Sequence, residues 1–115
     1  EIYTLSLHDA LPIWFSTVTL MRTTPEEMAE LGRRIATKLA AATGPTELFI
    51  PLRGVSAIDV EGAPFRDAEA DAALFAELRA GLVDSGVVVH ELDQAINDPG
   101  FGAAMARALH ASITN

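Results

Sequence analysis

Three short apolar runs, VTLMR at 18–22, ELFIPL at 47–52 and VVVHEL at 87–92, are each followed by a stretch whose apolar residues recur every three or four positions. Continuously apolar strands that alternate with helices are buried on both faces, so they pair in parallel and carry their crossover helices on the faces of the sheet. The expected fold class is α/β, with the order βαβαβα and one parallel sheet. Three strands make a sheet smaller than is usual, so the pattern reads as part of a Rossmann-like subdomain, half of a doubly wound fold.

The boundaries carry their own chemistry. Thr24-Pro25-Glu26-Glu27 is a helix start: Thr24 can cap, Pro25 suits the first helical position, and Glu27 stands where a capping-box acid reaches back. Met28, Leu31, Ile35 and Leu39 then define one apolar stripe, and Gly44-Pro45 stops the helix. A second helix is expected from Ala68 to Leu82, capped by Asp67, with Leu74, Phe75, Leu78 and Leu82 inward. Asn97-Asp98-Pro99 is expected to cap a third helix that turns Phe101, Met105, Ala108 and Leu109 to one side.

At 115 residues, with 50% hydrophobic and 21% charged residues, the chain fits one globular domain with a packed core. The formal charge is -8, and the eight basic residues are scattered, with Arg33-Arg34 the only adjacent pair. Nucleic-acid binding is therefore disfavoured, because phosphate recognition needs clustered cations. With no Cys, thiolate catalysis, disulfides and Cys-ligated metal sites are excluded, and no metal site is expected. No long apolar run suggests a membrane span, so the default expectation is the cytoplasm.

EIYTLSLHDALPI, residues 1–13, fits none of this pattern. It resembles the conceptual translation of a sequencing-adapter junction, so residues 1–17 are expected to be a non-native segment and junction, and His8 and Asp9 do not count as a catalytic pair. The alternative is that IYTLSL is an edge strand and HDALPI a turn. On the junction reading, residues 18–115 are expected to be the C-terminal part of a second Rossmann-like subdomain, with upstream material missing; a genuine opening strand would take away the main support for that.

VTLMRTTPEE, then IPLRGVSAIDVEGAPFRDAEADAALF, then VVHELDQAINDPGF resemble the C-terminal end of the Tm-one-like ATP-binding protein family. The likeness covers roughly residues 18–113, and RGVSAID with PFRD is its most specific part. It implies two Rossmann-like subdomains, ATP as cofactor of the longer protein, bacterial members that are largely uncharacterised, and a plant member that blocks viral replication by protein binding. Gln94 departs from the pattern, where a His is expected before the INDP turn. The partner implied first is the missing N-terminal subdomain; exposed apolar faces would make a homo-oligomer possible and leave the fragment inactive alone.

Ligands of open α/β sheets bind outside the carboxyl ends of the strands. The loops there are Thr23-Thr24, Arg53–Asp67 and Asp93–Asp98. The middle loop, at fifteen residues, far exceeds a usual βα connection. It offers Arg53 for bidentate contact with phosphate or carboxylate, Gly54 for close backbone approach, and Ser56, Asp59 and Arg66 as polar groups; Asn97 joins them from the third loop. The expected function is nucleotide or small anionic ligand binding, with an enzyme of unknown reaction or a protein-interaction module as alternatives. The structural alternative pairs Arg53 and Arg66 with Asp59, Asp67 or Asp93 to pin the loop. No GxGxxG or GxxxxGK[ST] is present, His90 reads first as a strand residue, and His110 as a helix-terminal one.

Overall fold

The computed structural model describes residues 2–4 and 19–115. Its elements are β1 (Ile2–Thr4), β2 (Thr19–Met21), α1 (Pro25–Ala40), β3 (Glu47–Pro51), α2 (Ala68–Leu82), β4 (Val88–Leu92) and α3 (Phe101–Thr114). The α/β class stands, but the three-stranded parallel sheet does not form among the described residues. β3 and β4 pair in parallel, with Glu47 opposite Val88 and Pro51 opposite Leu92, and α2 is their crossover. β2 instead pairs antiparallel with β1, Ile2 opposite Met21. The strand read at 18–22 is thus shorter and lies in a second sheet. Its burial explains why: Thr19 and Met21 are exposed and Leu20 only half-buried, so this strand lacks the two-sided apolar cover of a central parallel strand. β1 falls inside the segment set aside from the sequence; residues 5–18, with His8, Asp9 and the HDALPI turn, lie outside the described residues.

The core lies between α1, α2 and one face of β3–β4. Ala36, Ile50, Phe75, Leu78 and Leu82 form its centre, flanked by Leu48, Leu52, Val87 and Val89. Burying such side chains stabilises the fold by about 1.5–3 kcal/mol each for the larger ones.

α1 begins as expected. The Thr24 side chain accepts from the Glu27 N–H, and the Glu27 carboxylate accepts from the Thr24 N–H. Its buried stripe differs from the expected one, however: Met28, Gly32 and Ala36 point inward, whereas Leu31 and Ile35 are 42% and 39% exposed. The reason is close helix packing. A Cβ on Gly32 would lie 2.7 Å from the Leu74 carbonyl oxygen, and one on Gly81 would lie 2.5 Å from the Ala36 Cβ. The smallest residues therefore make the α1–α2 contact and leave the larger ones outside it.

α2 is capped by Asp67, which accepts from the Ala70 N–H at 3.0 Å. Phe75, Leu78 and Leu82 are buried as expected, and Leu74 is half-buried. α3 departs further. Its N-cap is Gly100 in the left-handed region, and Asp98 instead accepts from the Ala95 N–H at 2.8 Å inside the preceding turn. Phe101 is buried, but Met105 and Leu109 are 39% and 62% exposed, because α3 touches the rest of the fold chiefly along β3.

Candidate functional site

The parallel ladder continues past both strands. Leu52 donates to the Leu92 carbonyl, Arg53 to that of Gln94 and Ile96 to that of Gly54, each at 3.0 Å. These bonds draw the Arg53–Asp67 loop and the Asp93–Asp98 turn together at the carboxyl end of the sheet. Arg53, Gly54 and Asn97 are thereby brought to one edge.

Arg53 brings an exposed positive charge to this edge. Its Nε and Nη2 donate to the two carboxylate oxygens of Asp93 at 2.6 and 3.0 Å, and both side chains are largely in solvent. The Asp93 hydrogen bonds raise the Arg53 pKa, and Arg53 in turn holds the Asp93 carboxyl below its ordinary value. Asn97 is exposed one residue beyond the Ile96 tie.

The remaining loop candidates face inward. The Ser56 hydroxyl accepts from the Ile58 and Asp59 N–H groups at 3.3 and 3.1 Å, which closes a tight turn. Asp59 is buried, and its two carboxylate oxygens accept from the Val55 and Asp67 N–H groups, each at 3.2 Å. Buried Phe65 donates its N–H to the Ile58 carbonyl at 2.9 Å and folds the loop onto itself. Fifteen residues without regular secondary structure are thus held in one conformation by their own polar groups.

Beneath the loop lies a charge cluster that the sequence reading found only in part. Arg22 Nη2 donates to Asp71 at 2.7 Å and stands 3.8 Å from Asp59. Arg66 Nη1 donates to Asp71 at 2.9 Å and stands 3.7 Å from Asp59. Both carboxylates are about 1% exposed, so the two guanidinium groups are what make their burial tolerable. Burial, and then the Asp59 hydrogen bond, push Asp71 up to about 6. Burial also opposes ionisation of Asp59, but the Asp71 hydrogen bond, the two backbone donors and Arg22 outweigh it and hold its carboxyl below the ordinary value.

Arg22 and Asp71 were missed, and Asp71 had a readable signal. Residues 71, 75, 78 and 82 fall on one helical face, so an Asp shares the stripe of Phe75, Leu78 and Leu82 and must be buried with them. Arg66 and Arg53 do pair with Asp residues, as the structural alternative held. His90 stacks on Phe49 with ring centroids 4.3 Å apart and contacts Glu47 at 2.7 Å, so it serves the sheet. Among the described residues no helix is long and apolar enough to cross a membrane.

Residues 10–113 match the model of the uncharacterised protein family UPF0261, C-terminal domain. The match thus begins within the segment set aside as a junction. The chain is 50% identical over 94 residues to a UPF0261 protein of Clostridium tetani, covering 82% of this chain and 23% of that protein. It is 50% identical over 99 residues to a UPF0261 protein of Rhizobium meliloti, covering 85% of this chain and 25% of the relative. The ToMV resistance protein Tm-1 of Solanum lycopersicum is 38% identical over 89 residues, 76% of this chain and 12% of that protein. The chain therefore spans about a quarter of the bacterial relatives it matches.

Proposed function

This chain belongs to the uncharacterised protein family UPF0261, as its C-terminal domain, and we propose that it forms one wall of a site for a small anionic ligand, a nucleotide such as ATP among them, in a longer protein. The observation that carries this reading is the Arg53 guanidinium, exposed at the carboxyl end of β3 and already oriented by a carboxylate in bidentate geometry. A ligand carboxylate or phosphate takes the place of Asp93 on the same fork. Gly54 lets the ligand approach the backbone, and Asn97 contributes a side-chain amide from the neighbouring turn. Ser56, Asp59 and Arg66 position the loop and do not touch the ligand. The resemblance to the Tm-one-like ATP-binding family supports the nucleotide; the remaining wall comes from the preceding region of the longer protein.

The test is calorimetric titration of the longer family protein that contains this domain with ATP, ADP and simple di- and tricarboxylates. Saturable binding of at least one anion supports the reading, and absence of binding across that panel removes it. A second reading, a protein-interaction module, is favoured by Met105, Leu109 and Ile113 of α3, which point apolar surface outward at helical spacing. It would show as partner capture unaffected by the anion.

A further inference from the structure

The two outer edges of the β3–β4 sheet are not alike. Val88 donates to the Thr46 carbonyl at the start of the ladder, and Leu52 donates to the Leu92 carbonyl at its end. Ladder bonds fall on alternate residues of each strand, so Leu48 and Ile50 turn their N–H and C=O groups toward β4, while Glu47 and Phe49 turn theirs away. Among the described residues, no hydrogen bond reaches those outward groups of Glu47 and Phe49. Pro51 ends the open stretch: it has no N–H, and its carbonyl accepts from the Gly54 N–H at 3.3 Å.

An apolar groove runs beside this edge. It has a volume of about 380 Å³ and lies between the start of β3 and α3, with Pro45, Phe49, Met105, Ala108 and Leu109 among its walls. No residue of β4 lines it, so it sits on the side of β3 away from that partner. β4 differs, because there Arg79 grips Glu91 at 2.6 Å, and charged side chains are a common guard against pairing at a sheet edge. Open backbone groups next to an apolar groove are the two requirements of strand addition: hydrogen bonds hold the strand, and the groove takes its alternate side chains.

We infer that an extended segment from the preceding region of the longer protein adds to β3 along Glu47 and Phe49 and lays apolar side chains against Met105 and Leu109. Parallel strands are normally covered on both faces and occur in larger sheets, so a sheet of two is incomplete as it stands. β2, the strand expected beside β3 from the sequence, is instead paired with β1. This chain spans about a quarter of its bacterial relatives and matches their C-terminal domain, so most of the longer protein precedes it. A segment of the same polypeptide meets the edge at an effective concentration on the order of 1 mM, well above that of a second copy in dilute solution. The tethered segment therefore takes the edge first.

The measurement is residue-resolved amide exchange of Glu47 and Phe49 against Leu48 and Ile50, in the 115-residue chain and in the longer family protein that contains this domain. No anion is added, so the result is separate from the ligand titration. In the 115-residue chain Leu48 and Ile50 are expected to be protected, while Glu47 and Phe49 exchange freely at every protein concentration. In the longer protein Glu47 and Phe49 are expected to slow by about a hundredfold. Leu109→Gln supplies a second readout: it lowers the unfolding midpoint of the longer protein but not that of the 115-residue chain, where Leu109 is 62% exposed. Outward amides that exchange equally fast in both proteins, or a Leu109→Gln midpoint unchanged in both, overturn the inference. Protection of Glu47 and Phe49 already in the 115-residue chain also overturns it, assigning the edge to a second copy if it grows with concentration and to this chain's own residues if it does not.

Discussion

Gly54 and Asp59 meet backbone to backbone: a Cβ on Gly54 would lie 1.9 Å from the Asp59 carbonyl oxygen, and Gly54 has φ +148°. Only a residue without a side chain can sit there. Gly54→Ala is expected to cost about 2 to 4 kcal/mol, from backbone strain and overpacking together. Urea unfolding checks this; a midpoint equal to wild type would mean that the loop does not close against Gly54.

Gly32 and Gly102 should respond to the same substitution with opposite signs. Alanine is the better helix former at both, by about 1 kcal/mol. At Gly32 the new methyl would meet the Leu74 carbonyl at 2.7 Å, so overpacking of about 1–3 kcal/mol wins and Gly32→Ala destabilises. Nothing lies within 4 Å at Gly102, so Gly102→Ala raises the thermal midpoint.

The two ion-pair systems should separate equally clearly. Asp71→Ala leaves Arg22 and Arg66 against one buried carboxylate and is expected to cost about 3 to 5 kcal/mol. Asp93→Ala breaks a solvent-exposed pair and is expected to leave the unfolding midpoint unchanged.

Thr24→Ala removes one half of the capping box at α1 and is expected to lower stability by about 1 kcal/mol. Far-UV circular dichroism during thermal unfolding checks it, with Thr24→Ser as the control that retains the hydroxyl.

Much of this architecture could be read from local chemistry. Thr24, Pro25 and Glu27 announced α1, and Asp67 announced α2, because a cap depends on residues within one turn. β3 and β4 followed from unbroken apolar runs. What failed depended on distant partners. Leu31 and Ile35 outweigh Gly32 and Ala36 on any hydrophobic scale, yet small residues face α2 because Leu74 and Gly81 allow the helices to touch. The Met21 end of β2 looks like a core strand until its pairing with Ile2 is known. At the candidate site, Arg53 and Gly54 were legible from composition and loop length. Arg22 was not, because its partners Asp67 and Asp71 lie forty-five and forty-nine positions away.

The most direct test of the anion-site proposal sets two variants of the longer protein against each other in calorimetric titration with ATP and with the carboxylate that binds best. Asp93 occupies the Arg53 fork, so a ligand must compete with it. Arg53→Ala is expected to weaken binding roughly ten- to a hundredfold, as loss of charge-assisted hydrogen bonds does. Asp93→Asn is expected to strengthen it. Equal affinities in wild type and both variants, for every anion that binds, would contradict the placement of the ligand on Arg53.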